Sequence, residues 1–298
     1  MTAAPVRIAG APISWGVCEV PGWGYQMDND RVLREMRGAG LTATENGPEG
    51  FLPADPASLA TVLAGHDLTS VGGFAPVLLH EESHDPVPTI ASLLDGFVAA
   101  NADVIVLAAS TGQEGYDARP TLTADQWTVL LRNLDRLAAA SAERGILAVV
   151  HPHVGTMIEQ RDEVHRVLDG SSIPLCLDTG HLMIGGTDPA ELATAAADRI
   201  AHAHLKDVDA ALAARVQAGE LTYTDAVRAG MYTPLGTGDV GIGGVVDSLL
   251  DAGYTGWFVL EQDTILSEEP GEVGGPVTDV VASVQHLHDI VAARTAAV

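Results

Sequence analysis

Two short apolar runs in this chain end in groups that bind metals or move protons. Leu175-Cys-Leu-Asp-Thr-Gly-His181 places Asp178 and His181 at the end of the first, and Ile200-Ala-His-Ala-His-Leu-Lys-Asp207 places His204 and Lys206 at the end of the second. Between them, Asp188-Pro189 supplies a helix cap and a first-turn proline, and Ala/Leu-rich sequence continues to Asp198. This is the pattern of two parallel strands whose carboxyl ends share one pocket. Lys206 is the only lysine beside fourteen arginines, and its isolation favours a role in a site.

The elements that must position these groups alternate along the chain. Strands are expected over 7–15, 41–45, 68–74, 104–107, 147–153, 175–178, 200–204 and 257–261, separated by helices over 30–39, 55–64, 89–101, 124–145, 162–168, 189–197 and 245–252, with a last helix over 276–293. Eight strands with helical crossovers close into a barrel more readily than they form an open sheet. The expected architecture is α/β: one (β/α)8 TIM barrel domain over 1–298, with an insertion between strands 7 and 8 and a C-terminal helix. The insertion, 207–241, should hold short helices and a covering loop, and a loop of that length is usually functional. Gly236-Thr-Gly-Asp-Val-Gly-Ile-Gly-Gly244 superficially resembles a dinucleotide fingerprint but follows no convincing strand. It is expected instead to be a loop brought close to a ligand.

Chemistry in such a barrel sits at the carboxyl ends of the strands. Those ends carry Trp15, Glu45, Phe74, His151, His153, Asp178, His204 and Glu261, with His181 and Lys206 just beyond. His153, Asp178, His204 and Glu261, one from each of the last four strands, form a candidate metal set. Two imidazoles and two carboxylates suit manganese, cobalt or iron and leave room for substrate oxygens. His151 alternates with His153 and so should share its face; only one of the two need touch the metal, and the other would orient a hydroxyl or move a proton. His202 lies one step deeper and is better read as a satisfied histidine of the barrel interior. Glu45 is open between a base, an acceptor for a substrate hydroxyl and an ion-pair residue. Trp15, Trp23 and Phe74 could offer an apolar face to a ring.

Forty acidic against fifteen basic residues give a net charge of −25, which argues against nucleic-acid binding and against an anionic membrane surface. A neutral, polyhydroxylated small molecule is the better partner. Cys18 and Cys176 are too few and too scattered for a disulfide framework, and the amino terminus lacks the charged and apolar regions of a signal peptide, so a cytoplasmic location is expected. A homodimer or homotetramer is the assembly to test, with the last helix as a candidate contact.

Several stretches carry a resemblance: Ala11-Pro-Ile-Ser-Trp-Gly-Val17, Thr44-Glu-Asn-Gly-Pro48, His151-Pro-His-Val-Gly-Thr156, Leu177-Asp-Thr-Gly-His-Leu182, His204-Leu-Lys-Asp207, Ala229-Gly-Met-Tyr-Thr-Pro-Leu-Gly-Thr-Gly-Asp239 and Gly253-Tyr-Thr-Gly-Trp-Phe-Val-Leu-Glu261. Through them the chain resembles the sugar phosphate isomerase/epimerase superfamily of xylose isomerase-like barrels, and within it the inosose dehydratases, which act on 2-keto-myo-inositol. The resemblance implies one divalent metal ion, manganese or cobalt first, with iron, zinc or magnesium as further options, held by His153, Asp178, His204 and Glu261. It implies loss of water from a keto-cyclitol or keto-sugar through an enediolate, with Lys206, His181 and His151 handling protons and Glu261 serving as both ligand and base. Keto-sugar isomerisation or epimerisation, and elimination from an oxidised (3-keto) glycoside, share the same first half of the mechanism.

Overall fold

A computed structural model describes residues 6–271 and 274–296. Eight parallel strands close into a barrel: β1 (Arg7–Gly10), β2 (Ala43–Glu45), β3 (Thr69–Leu78), β4 (Val104–Ser110), β5 (Leu147–Val150), β6 (Leu175–Asp178), β7 (Ile200–Leu205) and β8 (Trp257–Leu260). Each pairs with its sequence neighbours, and β8 closes the ring on β1 with Ala9 opposite Val259. The helices lie outside: α1 (Asn29–Gly38), α2 (Pro56–Gly65), α3 (Val87–Ala99), α4 (Ala124–Ala142), α5 (Arg161–Gly170), α6 (Thr179–Ile184) and α7 (Pro189–Ala195), then α8 (Ala210–Gln217), α9 (Tyr223–Arg228), α10 (Ile242–Asp251) and α11 (Pro276–Ala296).

Strands covered on both faces cannot alternate apolar with polar, and β4 is buried through six of its seven residues. Ala9, Ala43, Val71, Val106, Val149 and Val259 fill the barrel interior with small side chains, whereas the larger Leu33, Leu107, Leu130 and Leu134 pack between strands and helices. The helix starts follow local chemistry. Thr123 and Gln126 form a reciprocal capping box on α4, and Asp28, Asp55 and Asp188 cap α1, α2 and α7 through their carboxylates.

Four expected strands end three or more residues from their expected place, one of them β4, which runs on to Ser110. The first stops at Gly10, and Pro12–Trp15 is a 3₁₀ turn closed by Gly16 at φ 77°. The third runs to Leu78, so Phe74 sits within the strand rather than at its end. The fifth stops at Val150, because Pro152 cannot donate to the ladder and the His153 N–H turns to the Ile158 carbonyl. The regular alternation that would have placed His151 and His153 on one face therefore does not apply.

The insertion between β7 and β8 contains α8, α9 and a two-residue antiparallel ladder of Asp207–Val208 with Tyr232–Thr233. Its glycine-rich end does not border the central cavity. It wraps the buried Asp207 carboxylate, which accepts from Gly236 N at 2.8 Å, Gly238 N at 3.0 Å and Val240 N at 3.1 Å. The expected ligand loop is thus a structural anchor, and its acceptor is the last residue of the His-Leu-Lys-Asp run. Among the described residues no helix is long and apolar enough to cross a membrane.

Candidate active site

Every residue of Asp178-Thr-Gly-His181 has a distinct local task. Asp178 caps α6, its Oδ1 accepting from Gly180 N at 2.9 Å and His181 N at 2.8 Å, which leaves Oδ2 for the barrel mouth. Thr179 exchanges hydrogen bonds with the Lys206 backbone at 2.6 and 2.8 Å, locking β6 to the end of β7. Gly180 permits a close approach: a β-carbon there would lie 2.8 Å from Lys206 Cβ and 2.8 Å from Tyr232 Cε1. His181 then places Nε2 at 3.1 Å from Lys206 Nζ.

On the floor of the mouth, His151 Nε2 lies 3.2 Å from Asp178 Oδ2, and His204 Nδ1 lies 3.6 Å from that oxygen and 3.1 Å from Glu261 Oε2. Glu45 sits behind His204. A register shift between Thr44 and Glu45 turns this side chain inward, where Oε1 accepts from His202 Nε2 and His204 Nε2, each at 2.9 Å. Burial opposes ionisation of Glu45, but the charge of His204 and the hydrogen bonds from both imidazoles outweigh it, and the carboxyl is held well below its usual range. His202 is fully buried in the barrel and spends its Nε2 on this contact.

Lys206 reaches over the same floor, 2.5 Å from Asp263 Oδ1, 3.0 Å from Glu261 Oε2 and 3.5 Å from Asp178 Oδ2. Burial alone would discharge it, yet Asp178, Asp263 and Glu261 outweigh burial and keep the ammonium protonated well above the usual lysine range. His204 is likewise held charged by Cys176, Glu261 and Glu45 against the cost of burial. His153 and His181 are the opposite case: burial, reinforced by neighbouring histidines and Lys206, keeps both neutral. His153 donates Nδ1–H to the Val154 carbonyl at 2.7 Å, which leaves a lone pair on Nε2.

These groups open into a cavity of about 640 Å³ bordered by Glu45, Phe74, His151, His153, Lys206 and Glu261. Phe74 packs its ring 6.0 Å from His151 and 5.7 Å from His153, forming an apolar wall. Asp178 and His181 stand just behind that surface. Trp15 is not part of it: fully buried in the 3₁₀ turn, it donates its indole N–H to Glu35 at 2.7 Å, so the expected ring-facing role passes to Trp23, which borders the cavity.

Of the expected metal set, the structure brings three members together. Asp178, His204 and Glu261 offer ligand atoms within 4.8 Å of one another, and His151 joins Asp178 and His181 in a second such group. His153 belongs to neither group. Its ring turns away to stack 3.7 Å from His181 and 4.5 Å from Tyr116. The set His151, Asp178, His204 and Glu261 fits a divalent ion on two grounds. His204 Nδ1 is buried without a well-formed hydrogen bond although two carboxylates face it. Asp178, Glu45, Glu261 and Asp263, set against Lys206 and a charged His204, leave an excess of two negative charges.

Sequence reasoning did not find Asp263, Tyr116, Tyr223 or Tyr232. All lie in loops or in the insertion, where no periodicity points to a rim; for Asp263 the available signal was its place two residues beyond Glu261.

Known proteins place this arrangement. The inosose dehydratase of Geobacillus kaustophilus (strain HTA426) is 31% identical over 303 aligned residues, covering 97% of this chain and 96% of the relative. An L-ribulose 3-epimerase structure shares the fold with a TM-score of 0.70 at 16% identity, covering 98% of this chain and 97% of that one. The IolI protein, solved with a bound zinc atom, does so at 0.67 and 13% identity, covering 96% and 98%. The profile of the xylose isomerase-like TIM barrel matches residues 33–287. This chain is an enzyme that belongs to the xylose isomerase-like TIM barrel family.

Proposed function

We propose that this enzyme is a metal-dependent carbon–oxygen lyase that dehydrates a keto-cyclitol or keto-sugar of the 2-keto-myo-inositol kind. The observation that carries the reading is a set of two imidazoles and two carboxylates gathered at the floor of one cavity that Lys206 and His153 also border. The near end-to-end likeness to an inosose dehydratase supports the choice of substrate class, and the zinc named for IolI supports a divalent ion.

His151, Asp178, His204 and Glu261 would hold the ion, and when bound it would supply Lewis acidity toward a ketone oxygen and the neighbouring hydroxyl. The chain's own residues divide the proton work. The neutral Nε2 of His153 takes the proton from the carbon next to the ketone. The Lys206 ammonium gives a proton to the departing β-hydroxyl, which leaves as water. Two groups pushed to opposite protonation states by their surroundings are what a paired acid and base require. Glu45 does not meet the substrate carbon in this scheme: it holds His204 in place through Oε1. Phe74 and Trp23 cover the apolar faces of the ring and limit the water that reaches it.

Mass spectrometry after incubation with 2-keto-myo-inositol tests the proposal. A product lighter by one water, formed with a divalent ion and lost with a chelator, is the expected result. A product of unchanged mass would instead assign the site to isomerisation or epimerisation.

A further inference from the structure

We propose that Tyr223 and Tyr232, carried by the insertion between β7 and β8, are positioning residues for Lys206, acting through Asp263 and His181 in a closed ring of buried hydrogen bonds. Lys206 Nζ donates to Asp263 Oδ1 at 2.5 Å and to His181 Nε2 at 3.1 Å. Because His181 Nε2 accepts, its proton stands on Nδ1, 3.5 Å from the Tyr232 hydroxyl. Tyr223 donates to Asp263 Oδ2 at 2.5 Å, so the 3.1 Å contact between the two phenols runs from Tyr232 to Tyr223. All five side chains are buried.

Each hydrogen bond of the ring thus runs in one direction. Two of the three ammonium hydrogens are committed to it, and the third is left at the cavity, beside Glu261 Oε2 at 3.0 Å, for the departing hydroxyl. Asp263 has both oxygens engaged and cannot rotate, so Lys206 cannot follow it out of line. The Tyr232 ring also lies 5.4 Å from Nζ, an approach that the missing side chain of Gly180 allows. A flexible four-carbon stem is thereby held to one geometry, and misplacement of a reacting group by about 1 Å costs up to about a hundredfold in rate. This assigns the insertion a task in the reaction: it delivers two phenols to the back of the acid. The effect on rate rests on the reading of Lys206 as the acid of a dehydration; the ring itself does not.

Because Lys206 is the only lysine, protein made with 15N-lysine gives a single Nζ signal. In the wild type this signal should be that of an ammonium whose hydrogens exchange slowly with water. Tyr223→Phe and Tyr232→Phe should speed that exchange about tenfold or more, lower kcat about tenfold or more and leave KM within about twofold. In a Lys206→Met background, Tyr223→Phe should cost no further activity. Unchanged exchange and kcat in both phenylalanine variants would overturn the proposal. So would a Tyr223→Phe loss that persists in full without the lysine amine. If the wild type forms no dehydrated product, the reading of the reaction fails, and the exchange of the Nζ hydrogens still decides whether the ring exists.

Discussion

His151 and His153 are two positions apart and keep different company. His151 faces Asp178, while His153 spends Nδ1 on the Val154 carbonyl and keeps a lone pair on Nε2. Replacing His153 with Gln should lower kcat by about 10²–10⁴-fold, the usual worth of a positioned base, with metal content unchanged; steady-state rates and elemental analysis check both halves. Gly180→Ala probes packing instead. With 2.8 Å contacts to Lys206 Cβ and Tyr232 Cε1, the added methyl should cost about 1–3 kcal/mol of stability, read from denaturant unfolding. At this scale Asp178, His204, Lys206 and Glu261 were legible, because each follows an apolar run at a rim. The different settings of His151 and His153 were not, because a proline ends the strand between them and voids the period-two argument. Trp15 misled for a similar reason, since the chain leaves the first strand at Gly10.

The insertion shows how an element can serve a site without touching substrate. Its closing loop is held by Asp207, whose two oxygens accept backbone N–H groups from Val208, Gly236, Gly238 and Val240. Asp207→Asn turns an amide toward one pair of those donors whichever way it rotates. Each buried N–H left unpaired costs about 1–3 kcal/mol, so the variant should unfold earlier and be cut faster within 209–240 by a protease. Unchanged stability and cleavage would remove Asp207 from this role. The eightfold alternation of strand and helix was readable from hydrophobic pattern and caps, as was the presence of short helices in the insertion. What the loop's glycines were for was not readable, since the turns they allow look alike whether they enclose a ligand or a carboxylate.

Over the whole molecule, buried histidines set the response to acid. His80, His151, His153, His181 and His202 are all pushed below the ordinary imidazole range, burial being the largest cause in each, whereas His204 alone is raised. Below about pH 6.5 the unfolded chain therefore binds more protons than the folded one at five positions and fewer at one. Stability of the metal-free protein should fall as pH drops from about 6.5 toward 5, as urea melts at stepped pH would show. A flat profile across that window would contradict the neutral assignments. The charge of −25 adds general repulsion, but only the convergence of carboxylates at one rim turns it into a place for a cation.

Equilibrium dialysis of the chelator-treated protein with manganese or cobalt reads whether His151, Asp178, His204 and Glu261 bind one divalent ion, as proposed above. One ion per wild-type chain is predicted, with affinity reduced at least about tenfold in His151→Gln and unchanged in His153→Gln. Retained binding in His151→Gln together with its loss in His153→Gln, or no binding by the wild type, would contradict the account.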